Sequence, residues 1–301
     1  MKPGRAGVAL ATAVGAATGR PFRWVSEEPV AGGCIHSALR LSGEDGAGSV
    51  EYFAKMSEAD RAPMFAAEAD GLAALREAHA VTVPGVVAQG DDGERAWLVL
   101  EWLELSSLDA AAGARLGSAL AQLHRIPRER FGWAGNNFIG ASPQPNGWND
   151  EWLPFWRERR LMPQLRYAVK NRLPSRMIDR GERLAADCEA FFSGHRPDRS
   201  LLHGDLWNGN VAKLPDGRPV LFDPAVYVGD READVAMTEL FGGFPPDFGS
   251  AYRESWPLPD NYRVRRDFYN LYHVLNHANL FAGGYVGQAE KSIERLLAEI
   301  R

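Results

Sequence analysis

Cysteine is almost missing from this chain: two residues in 301. Two thiols cannot build a disulfide framework, which points to a reducing compartment such as the cytoplasm. Long apolar runs are missing as well, and no stretch approaches the roughly 20 residues that span a bilayer. There is no Lys/Arg tract. With 34 Lys plus Arg against 39 Asp plus Glu the formal charge is −5, which leaves no electrostatic footprint for nucleic acid. Internal repeats and low-complexity tracts are absent. What is present is 45% hydrophobic and 24% charged, a globular composition long enough for two lobes around a large core.

The amino terminus imitates a secretory signal, since Lys2 and Arg5 precede a small-residue run from Gly7 to Gly19. That run holds one Leu, two Val and no aromatic, too weak an apolar core for a signal. It reads instead as a helix packed on the first lobe. Gly32-Gly33 then forms the entry turn of an antiparallel pair, Cys34–Leu41 and Val50–Met56, separated by a turn-rich loop over 42–49. Glycine there allows backbone N–H groups to approach a phosphate closely. Cys34, directly after the pair, is a candidate redox-sensitive thiol. Pro63 to His79 predicts a helix, with Pro63 suited to its first turn. One turn into it Glu68 lies 13 residues after Lys55, within reach of the strand that carries the lysine. Strands follow at 85–89 and 95–102. Glu101 to Leu105 connects a first lobe ending near residue 102 to a second lobe over 103–301.

The chemistry concentrates in Leu201-Leu202-His203-Gly204-Asp205-Leu206-Trp207-Asn208-Gly209-Asn210 and, further on, Phe222-Asp223-Pro224. Two short apolar runs flank Pro215-Asp216-Gly217-Arg218, a strong turn signal, so the segment predicts a hairpin that brings Asn210 beside Asp223. Asn210 and Asp223 supply hard oxygen donors of the kind Mg²⁺ takes. Asp205 is placed to accept a proton from an attacking hydroxyl, Lys55 to hold phosphates, and Glu68 to hold Lys55. Phosphoryl transfer needs this division of labour.

The pattern resembles the kinase-like fold of protein kinases and small-molecule kinases. His203-Gly204-Asp205 is similar to the aminoglycoside and choline kinase branch. Within it the chain most resembles the fructosamine/ketosamine-3-kinase family. That resemblance rests on the 203–210 motif, on the run from Phe222 to Phe244, and on Gly132-Trp133, Asn137-Phe138-Ile139-Gly140 and Gln144-Pro145-Asn146. It implies an α+β architecture of a small antiparallel-sheet lobe and a larger, mainly helical lobe. It also implies ATP-dependent phosphorylation of the sugar 3-hydroxyl of ketosamines, a deglycation step that destabilises the adduct and frees its amine, with ATP and Mg²⁺ as cofactors. By the same resemblance Asp205 is the base, Asn210 and Asp223 are the metal ligands, and the nucleotide is assigned to Gly32, Gly33, Lys55, Glu68, Glu101 and Leu103. Asn208 and Asp230 depart from the family pattern, where Ser and His are expected.

The acceptor, a ketosamine or a glycated amine or protein side chain, is assigned to Trp207, Tyr227, Asp230, Arg231 and Glu232, the residues that follow the base or Asp223. Asp234, opening the next helix, is expected to accept hydrogen bonds from the catalytic-loop backbone. The region containing Trp133, Trp148, Trp152 and Trp156 reads as helix core, and His273 and His277 as structural. Two alternatives stand beside this reading: an aminoglycoside, choline or homoserine phosphotransferase of the same fold, and a non-catalytic nucleotide-binding pseudokinase.

Overall fold

The computed structural model describes residues 5–30 and 37–300. Gly32, Gly33 and Cys34 lie outside the described residues. Two compact units emerge. The first comprises Met1–Ser107 with Ala212–Asp223, and the second Leu108–Val211 with Pro224–Arg301. The division is not the single break at residue 102 that the sequence suggests, because the hairpin returns to the first unit. Its strands are stitched there by backbone bonds: Ser106 and Lys213 exchange bonds of 3.0 and 2.8 Å, and Leu221 N–H donates to Thr82 O at 2.9 Å.

Helix α1 (Arg5–Thr18) buries Leu10 and Val14 on the sheet of the first unit, worth roughly 1.5–3 kcal/mol for each side chain fully removed from water. The sheet contains β1 (Arg23–Pro29), β2 (Ser37–Glu44), β3 (Ser49–Glu58), β4 (Val86–Asp91) and β5 (Arg95–Glu101) in the order β1-β2-β3-β5-β4, and every neighbouring pair is antiparallel. β2 extends through Ser42–Glu44 and β3 opens at Ser49, so half of the loop expected over 42–49 is strand. β1 was not expected; it is an edge strand exposed along nearly its whole length. Helix α2 (Ala62–Glu77) carries its proline in the first turn and buries Met64, Phe65, Ala69, Leu72 and Leu75, the i, i+3/i+4 stripe of a core-facing helix.

The second unit starts with α3 (Ala110–Arg125), whose N-cap Asp109 accepts from Ala112 N–H at 2.8 Å. The short pair β6 (Asn137–Ile139) and β7 (Ser142–Gln144) follows. Next come α4 (Trp152–Trp156), a π-helical turn over Arg157–Leu161, α5 (Met162–Lys170) and α6 (Ser175–Ala186). β8 (Ser200–Leu202) enters the catalytic motif. β9 (Val211–Lys213) and β10 (Pro219–Leu221) are the hairpin, and β11 (Tyr227–Gly229) pairs with β8. Helices α7 (Glu232–Leu240), α8 (Pro246–Ser255), α9 (Tyr262–Phe281) and α10 (Gly284–Glu299) complete the unit. Trp152 and Trp156 belong to its core with Phe155, Phe268, Tyr269 and Tyr272, whereas Trp148 is exposed.

His273 is buried in α9. Burial pushes its imidazole down to about 3, and the nearby His277 adds to the fall. The folded value lies below the unfolded one, so the neutral ring contributes stability above about pH 6.5 that is lost as pH falls toward 3. A His273→Gln variant should therefore lose stability less steeply on acidification, by at most about 1.4 kcal/mol per pH unit. Urea midpoints at pH 7 and pH 4.5 measure this; identical acid sensitivity of variant and wild type would remove His273 from the account.

Candidate active site

In the first unit, strand β3 and helix α2 bring Lys55 and Glu68 together. Lys55 Nζ lies 2.7 Å from Glu68 Oε1 and 2.5 Å from Asp223 Oδ1. The lysine is buried, yet the Asp223 side chain is 42% exposed, so the ion triad opens to solvent at its aspartate end. Burial alone would push the Lys55 ammonium down. The charges of Glu68 and Asp223 outweigh it and hold the ammonium well above the ordinary lysine range. Burial raises the Glu68 carboxyl to about 7, against the pull of Lys55 and with Asp223 adding to the rise. Of this pair the lysine charge is the fixed member, since two carboxylates share it. Asp223 itself sits at φ +56°, a left-handed conformation that costs a non-glycine residue of order 1 kcal/mol or more.

Of the other nucleotide-assigned positions, Glu101 closes β5 and accepts from Gly85 N–H at 3.2 Å. Leu103 follows it in the connector and is half-buried.

In the second unit the loop over residues 203–210 is held from behind by Asp234. The N–H groups of His203 and Gly204 donate to its two carboxylate oxygens at 2.7 and 2.9 Å. His124 Nε2 lies 3.3 Å from the same carboxylate, and His124 Nδ1 lies 2.9 Å from the Tyr252 hydroxyl. Burial would raise Asp234, but the His124 hydrogen bond, the His124 and His203 charges and the Gly204 N–H outweigh it and keep the group below the usual carboxylate range. Gly204 is required by shape. It adopts φ +82°, and a Cβ there would stand 2.1 Å from the Ala225 carbonyl oxygen. Asn210 turns its amide nitrogen to Asp205, donating to the backbone oxygen at 2.8 Å and to Oδ2 at 3.1 Å. An amide oxygen, as on Asn210, and a carboxylate, as on Asp223, are each donor types that Mg²⁺ takes.

Sequence reasoning missed the polar frame under the segment that follows Asp223. Asn137 donates to Val226 O at 2.7 Å, and Gln144 donates to Ala225 O at 3.1 Å. Asn146, Tyr272 and the buried Arg160 tie Asn137 and Gln144 in place. Arg160 lies over the Tyr227 ring, 4.0 Å from its centroid. The one available signal was Asn137, Gln144 and Asn146 falling close together; Arg160 and His124 gave none.

Four of the acceptor-assigned residues, Tyr227, Asp230, Arg231 and Glu232, are buried. Tyr227 packs beneath Arg160. Asp230 accepts from the Tyr269 hydroxyl at 2.7 Å and lies 2.6 Å from His195 Nε2. Arg231 stacks on Trp256 and donates to the Pro257 carbonyl. Glu232 forms a bidentate pair with the fully buried Arg265, at 2.7 and 2.9 Å. All four serve the interior, because their neighbours in space are distant in sequence. His195, Asp230 and Glu232 have metal-ligand spacing, but Arg265, Tyr269 and the Glu232 N–H already occupy the carboxylate oxygens. Trp207 alone of the acceptor set faces solvent, at 40% exposure.

The sequence profile described as fructosamine kinase matches residues 8–299. The chain belongs to the fructosamine kinase family. A Synechocystis sp. protein named a probable ketoamine kinase is 41% identical over 293 residues, covering 96% of each chain. The Escherichia coli (strain K12) probable ketoamine kinase YniA is 40% identical over 270 residues, covering 89% of this chain and 91% of its own. Among solved structures, a candidate fructosamine-3-kinase of Haemophilus somnus 129PT has a TM-score of 0.85 at 29% identity, covering 96% of both chains. The choline kinase LicA of Streptococcus pneumoniae, at 15% identity, covers 97% of this chain and 98% of its own with a TM-score of 0.61, and shows the shared fold. This fructosamine kinase family member therefore has the kinase-like α+β fold that the 203–210 motif implied, and its curated relatives are named as probable ketoamine kinases.

Proposed function

We propose that the protein is an ATP-dependent ketosamine-3-kinase. The observation that carries the reading is the catalytic loop itself: Asp205 bonded by Asn210 on a loop whose backbone is fixed to Asp234, in a chain of this family. In this reading the Asp205 carboxylate accepts the proton of the sugar 3-hydroxyl, and the hydroxyl oxygen displaces ADP from the γ-phosphorus. A carboxylate serves as base here because it accepts without donating. Lys55, held by Glu68, carries phosphate charge. Asn210 and Asp223 would supply oxygen donors to Mg²⁺, which would neutralise charge on the β- and γ-phosphates. Glu101 and Leu103 are assigned to the nucleotide as well. The 3-phosphorylated adduct then loses its amine.

Lys55 now rests on Asp223, so metal binding has to compete with a cation already present. Asp223→Asn removes the anionic donor and should shift the magnesium dependence of turnover to higher concentration by about tenfold or more; an unchanged dependence would remove Asp223 from the metal role. The function is tested by an ATP-consumption screen with ribulosamine, fructosamine, choline, homoserine and an aminoglycoside. Turnover with a ketosamine alone is expected. Preference for one of the other alcohols would reassign the acceptor, and no turnover with any would favour a pseudokinase.

A further inference from the structure

A continuous strip of aromatic rings runs outward from the catalytic loop of the second unit, and neither the phosphoryl-transfer chemistry nor the core accounts for it. Trp207, whose N–H donates to the Asp205 carbonyl at 3.1 Å, meets Phe241 edge-on with centroids 6.2 Å apart. Phe241 meets His277 at 5.0 Å, and His277 meets Phe281 at 5.6 Å and Tyr285 at 5.0 Å. These rings come from the catalytic loop, the end of α7, α9 and α10, so four separate pieces of chain build one surface. Phe241 and Phe281 are 37% and 54% exposed. A soluble surface scatters such residues singly; a contiguous group marks a binding surface.

The strip is anchored to the loop. Gly243, two residues beyond Phe241, lies so close to Asn208 that a Cβ would fall 2.7–2.8 Å from its side chain. The Phe241 segment is thereby seated beside Trp207. His277 acts as a ring rather than a cation. Its Nδ1–H donates to the His273 carbonyl at 2.8 Å, and burial pushes its pKa down.

We propose that Phe241, His277, Phe281 and Tyr285 bind the amine-derived half of the acceptor, and select ketosamines whose amine carries an aromatic or other flat apolar group. The inference rests on the ketosamine reading above. A ketosamine is a sugar joined to an alkylamine whose nitrogen is protonated near neutral pH. With the sugar hydroxyl at Asp205 and the sugar beside Trp207, the amine is the part that projects along the strip. Aromatic faces complement both its ammonium charge and an apolar substituent beyond it. A polar or very short amine leaves the outer rings, Phe281 and Tyr285, uncovered.

The test compares two adducts of one sugar, the ribulosamines of methylamine and of phenethylamine, using wild type and Phe281→Ser. Phe281 is half exposed at the C-terminus of α9, a position where substitution spares the core. Wild type is expected to favour the phenethylamine adduct about tenfold in kcat/KM, mostly through KM, and Phe281→Ser is expected to erase most of that ratio. Equal kcat/KM for the two adducts in wild type, or a ratio that Phe281→Ser leaves in place, overturns the strip while leaving the ketosamine kinase reading standing. Failure of wild type to phosphorylate either adduct overturns both. An equal preference for a ribulosylated lysine peptide lacking apolar neighbours also contradicts the proposed selectivity.

Discussion

Asp205→Ala should lower kcat by about 10²–10⁴, the range a positioned general base contributes, while the protein still binds ATP. Two features of the structure separate this variant from one that merely damages the loop. The loop backbone is held by Asp234 through the N–H groups of His203 and Gly204, bonds that Asp205→Ala leaves in place. The Asn210 amide also keeps its bond to the Asp205 carbonyl at 2.8 Å, which an alanine retains. The thermal midpoint should therefore stay near that of wild type. KM for ATP should stay near wild type too, because the groups assigned to phosphate, Lys55 and Glu68, are held by β3 and α2 in the first unit. Near-normal turnover would refute Asp205 as the base.

Asp234→Ala is expected to cost both turnover and stability. Its carboxylate is buried and receives two backbone N–H groups and His124, and none of these meets water when it is removed. Each buried donor left without an acceptor costs about 1–3 kcal/mol. Several kcal/mol is a large share of the 5–15 kcal/mol that ordinarily holds a domain together. The loop carrying Asp205 would lose its fixed backbone, so kcat should fall by at least about tenfold even in molecules that remain folded. Asp234→Asn keeps one carbonyl acceptor and loses the charge. It should lie between wild type and the alanine variant in both denaturation midpoint and kcat. An alanine variant with an unshifted midpoint would mean that Asp234 does not hold the loop.

The features legible in the sequence are those encoded locally. Pro215-Asp216-Gly217 announced the hairpin, and the structure supplies β9 and β10 on either side of it. The spacing of Lys55 and Glu68 placed them within reach, and they meet at 2.7 Å. Asp234 was legible because a carboxylate at the start of a helix, shortly after the metal-type motif, has few other tasks. β1 was not legible: an edge strand exposed almost throughout lacks the apolar alternation that marks a half-buried strand. The end of β2 was hidden by its composition, since Ser42, Gly43 and Glu44 look like loop yet pair on both sides, with β1 and with β3. The burial of most of the acceptor set is hidden in the sequence for a related reason. Asp230, Arg231 and Glu232 are charged and follow Asp223 closely, which suggests a site. Their partners Tyr269, Trp256 and Arg265 lie 25 or more residues away, and only the fold shows that these charges are already matched.

A ketosamine-3-kinase is distinguished by the carbon that receives the phosphate. Purified protein incubated with Mg·ATP and a ribulosamine should yield a sugar whose ¹H–³¹P correlation spectrum couples phosphorus to the proton on carbon 3, and the same incubation with Asp205→Ala should yield none within the same time. Phosphate on another carbon, or ATP consumed with no sugar phosphate formed, would contradict the ketosamine-3-kinase reading.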